Sequence, residues 1–225
     1  MSEITVHHLS DSRSQRTLWL LEELGVDYEL VIHQRNPKTM RAPAALREVH
    51  PLGKAPVVVV DGVPLAESGA ITETLVEQLG PQLAPPAGTD AARWYRFWMH
   101  YAEGSFAPPL LVKLITRRIA SAPVPFFLKP VVRRIAGTVD ATYTDPELQL
   151  HLSFIDGHLG GVPWFCGEAF SAADIQMSFG LEAASARASA PAHGRAAIRG
   201  WLDRSRARPA YQRALERGGP YAYAG

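Results

Sequence analysis

Three short segments carry side chains whose types and spacing could do chemistry together. Ser10-Asp11-Ser12-Arg13 lies where an alternating run gives way to a helical one. A helix N-terminus offers free backbone N–H groups and about half a positive charge, so a hydroxyl there can donate to an anion that the dipole already favours. A thiolate suits such a place. Ser10, Asp11, Ser12 and Arg13 compete for the position facing it, and a purely capping role is the plain alternative. His50-Pro51-Leu52-Gly53-Lys54-Ala55-Pro56 precedes a run of four valines. Proline at the head of a strand is tolerated at an edge or as a cis turn, and a cis Ala55-Pro56 bond would leave the Ala55 N–H and C=O free for an extended peptide. Lys54 beside them could meet a carboxylate. Glu67-Ser68 ends a later strand and opens a helix. Ser68 as an N-cap would present its hydroxyl and N–H groups to a second carboxylate, and Glu67 could hold an ammonium.

Two further residue types point the other way. His7 and His8 are adjacent on a strand and face opposite sides, so they cannot chelate one ion, and no metal is expected. The single cysteine, Cys166, sits between Phe165 and Gly167 and reads as a packed thiol rather than a nucleophile.

The elements that must position these segments follow from periodicity. Ile4, Val6 and His8 alternate with Thr5, His7 and Leu9 as in a strand. Leu18, Leu21 and Leu24 recur at helical spacing, with Glu22 and Glu23 turned to water and Gly25 as a stop. A second strand from about Tyr28 to His33 completes a parallel crossover unit. Val57 to Val60 and Val63 to Glu67 flank Asp61-Gly62 as an antiparallel hairpin, and Ser68 caps a helix to about Leu79. Pro81, Pro85, Pro86 and Gly88 mark a linker. Beyond it the pattern is helical throughout. Trp94, Trp98 and Tyr101 share a face, as do Leu148, Leu152, Ile155 and Leu159; Ser171-Ala172-Ala173-Asp174 resembles a capping box, and two short helices span about 196–206 and 209–217. The expected division is an α/β domain over 1–80, a linker over 81–90 and an all-helical domain over 91–225.

Composition bounds the function classes. The 225 residues are 47% apolar and 20% charged with a net charge of +1, which excludes a disordered chain and a strongly basic nucleic-acid binder. That total hides an asymmetry: residues to Gly80 hold 7 basic and 11 acidic side chains, a net −4, whereas the remainder is +5. One cysteine excludes an internal disulfide framework. The opening residues lack a secretory pattern and no apolar run is long enough to span a membrane, so a soluble, cytoplasmic protein is expected. Between Phe106 and Val139 there is no acid, while Lys113, Arg117, Arg118, Lys129, Arg133 and Arg134 interleave with Leu110, Leu111, Leu114, Phe126 and Phe127. Such a segment can wall a substrate pocket, lie on a membrane surface, or form an ordinary helix pair with its charges outward.

The three segments together ask for a ligand with a thiol, a peptide backbone, two carboxylates and an ammonium, and glutathione has that inventory. The chain also resembles the cytosolic glutathione transferases, in particular their Gtt-like subgroup of fungi and bacteria. The resemblance rests on Ser12-Arg13-Ser14 with Leu18-Trp19-Leu20-Leu21-Glu22-Glu23-Leu24-Gly25, on Arg41-Ala42-Pro43, His50 to Pro56, Leu65-Ala66-Glu67-Ser68-Gly69, Pro163-Trp164-Phe165, Ser171 to Asp174 and Arg208-Pro209-Ala210-Tyr211. It implies a thioredoxin-like N-terminal domain, a helical-bundle C-terminal domain and a homodimer. It further implies that Ala55 before cis-Pro56 bonds the cysteinyl part of glutathione, that Lys54 lies near the glycyl carboxylate with Arg41 reaching over that end, and that Glu67 and Ser68 bind the γ-glutamyl end. His50 stands where many relatives have asparagine. Arg13 belongs to the loop that faces the sulfur, and Ser12 is the first choice for the catalytic hydroxyl. The implied reaction is attack of the thiolate on a small hydrophobic electrophile; peroxide or disulfide reduction by the same thiolate, and non-catalytic glutathione or protein binding, are the alternatives.

Overall fold

The structure, a computed structural model, describes residues 2–186 and 195–224. Its N-terminal domain runs β1 (Ile4–Leu9), α1 (Ser14–Leu24), β2 (Glu29–His33), α2 (Leu46–Val49), β3 (Val57–Val60), β4 (Val63–Ala66) and α3 (Ser68–Leu79). The four strands form one sheet in the order β2-β1-β3-β4, with β1 and β2 parallel and the other pairs antiparallel. The helical domain comprises α4 (Asp90–Tyr101), α5 (Ala107–Ala120), α6 (Lys129–Val139), α7 (Asp145–Leu159), α8 (Ala172–Ala186), α9 (Ala196–Arg206) and α10 (Pro209–Gly218). The expected α/β layer followed by an all-helical bundle is therefore present.

Alternation in β1 buries Ile4 and Val6 against Leu18, Trp19, Leu21, Ile71 and Leu75. The same core takes in Ala172, Ile175, Ala210 and Tyr211 from the helical domain, so the two domains share apolar packing. Gly218 lets α10 lie close to α1, because a Cβ there would sit 2.6 Å from Gln15 Oε1. A second core gathers Trp98, Phe106, Leu148, Leu152, Ile155, Leu159, Phe165, Met177, Leu181 and Trp201. Two single π-helical turns, at Ala102–Phe106 and Asp140–Thr144, join α4 to α5 and α6 to α7. Each brings an acid to a cation: Glu103 to Arg13 and Arg16, Asp140 to Lys113.

Three expectations need correction. Glu22 and Glu23 do not face water; their side chains are 10% and 9% exposed. They lie under α10 and its preceding residue, where Arg213 and Arg217 bind Glu22 and Arg208 binds both oxygens of Glu23 at 2.5 and 2.8 Å. Part of the charge asymmetry between the halves is thus spent within the chain. Ser68 is not the cap of α3 but its first residue; Glu67 occupies the cap. The basic segment departs from a helix pair with every charge outward, although Arg118, Lys129, Arg133 and Arg134 do face solvent. Lys113 is buried on Asp140 and Asp145 at 2.9 and 2.6 Å, whereas Leu111, Ile115, Val131 and Ile135 are exposed.

Arg208 also stacks its guanidinium 3.7 Å from the Phe170 ring centroid. Arg208→Ala would remove that contact and leave the Glu23 carboxylate under-solvated, at a cost of about 2 kcal/mol. The expected result is a fall in melting temperature of roughly 4–8 °C, and an unchanged melting curve would show that the pair contributes nothing net.

Candidate functional site

The register of the sheet brings the three chemistry-bearing segments to one end. The β1–β3 ladder stops at His7↔Val57 and the β3–β4 ladder at Val57↔Ala66. The next residues along each chain therefore emerge side by side: Leu9 to Arg13 from β1, Ala55-Pro56 leading into β3, and Glu67-Ser68 leaving β4. The Ala55-Pro56 bond is cis.

Several polar groups at this end have no protein partner. Among the described residues, no hydrogen bond is made by the Ala55 N–H or C=O, by the Lys54 ammonium, or by the Glu67 and Ser68 side chains. Ser68 is only 6% exposed, yet its hydroxyl oxygen is not sealed from solvent. Glu67 has φ 70° and ψ 120°, a left-handed backbone that costs a non-glycine residue about 1–3 kcal/mol. That conformation turns the chain from β4 into α3 so that Glu67 and Ser68 stand together at the start of the helix.

The turn from β1 into α1 is organised from below. Ser12 is 5% exposed, and its Oγ accepts from the Ser14 N–H at 3.2 Å and meets Ser14 Oγ at 2.8 Å. Ser14 Oγ in turn accepts from the Leu9 N–H at 3.0 Å and lies 2.9 Å from His8 Nδ1. Burial lowers the His8 pKa to about 4, so the ring is neutral at physiological pH. Above this chain of hydroxyls, the Asp11, Ser12 and Arg13 N–H groups make no hydrogen bond among the described residues. Three adjacent backbone donors at the start of a helix form a concavity suited to an anion. Asp11 is held in a left-handed conformation, φ 51°, and its Oδ1 accepts from the Ala222 N–H at 2.7 Å.

The other expected residues are placed as follows. Arg13, half exposed, donates to Glu103 Oε2 at 2.6 Å. Arg41 lies on the exposed loop before α2, with no side-chain partner among the described residues. His50 ends α2 and turns its Nδ1 back to the Leu52 N–H at 3.4 Å. Ser10 Oγ donates to Gln34 at 3.3 Å. Cys166 is buried, accepts from Ser171 Oγ at 3.2 Å, and burial pushes its thiol up to about 12, so it is no nucleophile.

Sequence reasoning missed the clasp behind the turn. Arg16 is buried and binds Glu103 and the Gln176 carbonyl, which ties α1 to the π turn after α4 and to α8. Burial opposes the charge on Glu103, but Arg16 and Arg13 more than offset it and hold the carboxyl below its usual range. Glu182 was missed too. It accepts from Tyr211 and Tyr221 at 2.7 Å each, which pins the C-terminal tail, and burial pushes its carboxyl up to about 7. Arg16 follows the turn at helical spacing and could have been suspected from that alone; Glu182 left no local signal.

A cleft of about 490 Å³ runs along α4, lined by Arg93, Arg96, Phe97, His100, Tyr101, Gly104 and Ser105. Arg96, His100 and Glu103 share one stripe of the helix and its π turn, and Glu103 is the residue that reaches Arg13. No set of three or more histidine, cysteine or acidic side chains among the described residues could hold a metal ion.

Comparison with known proteins agrees with this geometry. Residues 12–78 match the family described as glutathione S-transferase, N-terminal domain, and residues 124–209 match glutathione S-transferase, C-terminal domain. Glutathione S-transferase 3 of Schizosaccharomyces pombe is 40% identical over 183 residues, spanning 80% of this chain and 74% of that one. Glutathione S-transferase 1 of Saccharomyces cerevisiae is 31% identical over 207 residues, 88% of each chain. A crystal structure of a glutathione S-transferase from Actinobacillus pleuropneumoniae superposes with a TM-score of 0.81 at 31% identity, covering 97% of this chain and 94% of the other. Sequence, topology and the arrangement at the sheet end lead to one conclusion: the chain belongs to the glutathione S-transferase family and is similar to its fungal and bacterial Gtt-like members.

Proposed function

We propose that the protein binds glutathione at this sheet end and transfers its thiolate to a small hydrophobic electrophile. The observation that carries the reading is the convergence of unpartnered groups: the Ala55 backbone, Lys54, Glu67 and Ser68 beside the Asp11–Arg13 turn. The Ala55 N–H and C=O pair with the cysteinyl unit, Lys54 and Arg41 meet the glycyl carboxylate, Ser68 with the α3 N-terminus binds the γ-glutamyl carboxylate, and Glu67 binds its ammonium. His50 shapes the loop that carries Lys54.

The sulfur then lies at the Asp11–Arg13 turn. A free thiol titrates near about 8.5, so only a few per cent is ionised at neutral pH. Lowering that value by about 2 units, or about 2.7 kcal/mol, makes the thiolate the main species. Two donors are available: the turn's N–H groups and the Ser12 hydroxyl, whose proton the sulfur and Ser14 Oγ compete for. Ser14 can supply the Ser12–Ser14 bond instead, freeing Ser12 for the sulfur. Ser12→Ala is therefore expected to raise the bound thiol pKa by about 1 unit and to lower kcat/KM about ten-fold. No change in either quantity would leave the turn's N–H groups as the sole donors.

The electrophile rides in the α4 cleft, whose Phe97 and Tyr101 offer an apolar wall and whose Arg93, Arg96 and His100 favour electron-poor or anionic compounds. Two copies pair as a homodimer, and the protein works in the cytoplasm, where a lone buried thiol and reduced glutathione coexist. A panel of halogenated aromatics, isothiocyanates, hydroperoxides and mixed disulfides tests the reaction. Conjugation of the first two classes at rates well above the uncatalysed reaction is expected; turnover confined to peroxides or disulfides would replace conjugation with reduction.

A further inference from the structure

We propose that the turn between α5 and α6 is a tip that docks reversibly on an anionic lipid surface. Pro125 to Val131 are exposed without a break, and within that run Phe126 is 83% and Phe127 63% exposed. Leu128 and Val131 continue the apolar surface into α6, and Ile115 and Ile119 lead to it along α5. A helix turn that only met water would be polar; contiguous exposed aromatic and aliphatic side chains mark a surface that is covered in use.

Charge identifies the cover. Arg118, Lys129, Arg133 and Arg134 are exposed around the tip. Arg118 lies one helical turn from Ile115, and Arg134 one turn from Val131, so cations flank the apolar side chains on both helices. No acid occurs from Phe106 to Val139, and Asp140 beyond it is occupied by Lys113 and Thr116. Aromatic side chains at the acyl boundary with lysine and arginine at the headgroups are the two signals that give stable yet reversible binding to anionic lipid. Pro123, Pro125 and Pro130 stiffen the turn. A stable protein interface needs about 800 Å² per partner, whereas a lipid layer deforms around a few inserted side chains. No helix among the described residues is long and apolar enough to cross a membrane, so the chain would lie on the surface.

The test is flotation with phosphatidylcholine vesicles, with and without phosphatidylserine, at low and raised salt. The protein is expected to float with the anionic vesicles only, and less as salt rises. The double variants Phe126→Ser with Phe127→Ser, and Arg133→Glu with Arg134→Glu, are expected to lose about ten-fold or more of that binding while keeping the glutathione affinity and circular dichroism of the parent. The proposal is overturned by absence of binding to either vesicle, by equal binding to neutral and anionic vesicles, or by unchanged binding of the phenylalanine variant. It is also overturned if that variant converts a dimer to a monomer, because the tip would then be an interface between copies.

Discussion

Replacing Glu67 with glycine is expected to stabilise the protein and weaken its hold on glutathione, two effects of opposite sign from one residue. Glu67 sits at φ 70° in front of α3, where glycine carries no Cβ penalty. Relief of that strain, less the entropy glycine loses on folding, gives a gain of about 1 kcal/mol, or a few degrees in melting temperature. Loss of the carboxylate removes a charge-assisted hydrogen bond to the γ-glutamyl ammonium worth roughly 1.5–3 kcal/mol, which is a ten- to hundred-fold weaker Kd. Glu67→Ala keeps the strain and should lose the same affinity without the gain in stability. Ser68→Ala removes a second bond at the same end, and with Glu67→Ala should abolish measurable binding. Calorimetric titration with glutathione beside thermal melts reads both quantities. Parent-like affinity in Glu67→Gly would remove Glu67 from the site.

Asp174→Ala is expected to be the most damaging substitution for stability. The carboxylate is wholly buried at the start of α8. Its Oδ1 accepts from the Phe165 N–H at 3.0 Å and Trp201 Nε1 at 2.9 Å, and its Oδ2 from the Ser171 N–H at 3.0 Å and Ser171 Oγ at 3.1 Å. Alanine strands three buried N–H donors at about 1–3 kcal/mol each, while Ser171 Oγ keeps Cys166 Sγ as an acceptor, so a loss of at least about 3 kcal/mol and of roughly 10 °C follows, or failure to fold. Asp174→Asn keeps an acceptor for Phe165 and Trp201 but opposes its amide to the Ser171 N–H, a loss of about 2 kcal/mol. Burial pushes the Asp174 carboxyl up to about 6, above its unfolded value of 3.8. A carboxyl raised on folding contributes stability that is fully present at low pH and lost as pH rises through about 6. The parent's advantage over Asp174→Asn should therefore shrink by roughly 1 kcal/mol between pH 5 and pH 8. A pH-independent difference would show that the carboxylate is not desolvated in solution.

What could be read from the chain beforehand was what is local. Alternation places β1, the Asp61-Gly62 turn joins β3 to β4, and Pro209 opens the last helix; each signal lies within a few residues of the element it specifies. The site segments were legible for the same reason, since Lys54 to Pro56 and Glu67-Ser68 are contiguous pieces that the sheet register merely brings together. The Ser171 to Asp174 box was legible as well, but Trp201 and Phe165 as its partners were not. Pairs distant in the chain leave no local trace. Glu22 and Glu23 look like the wet face of an amphipathic helix until Arg208, Arg213 and Arg217 at α10 cover them, and Glu103 looks like any surface acid until Arg16 reaches it from α1. Periodicity also tells which residues share a helix face without telling which face is inward. A helix pair with its charges outward would bury Leu111 and expose Lys113, yet Leu111 is exposed and Lys113 is buried.

The turn at the head of α1 is expected to hold the sulfur of glutathione as its anion. The direct measurement is the ultraviolet titration of the thiol of protein-bound glutathione, followed by thiolate absorbance against pH. A midpoint about 2 units below the free value of about 8.5 is the result predicted. A midpoint at or above that of glutathione in water, with the ligand bound, would contradict it.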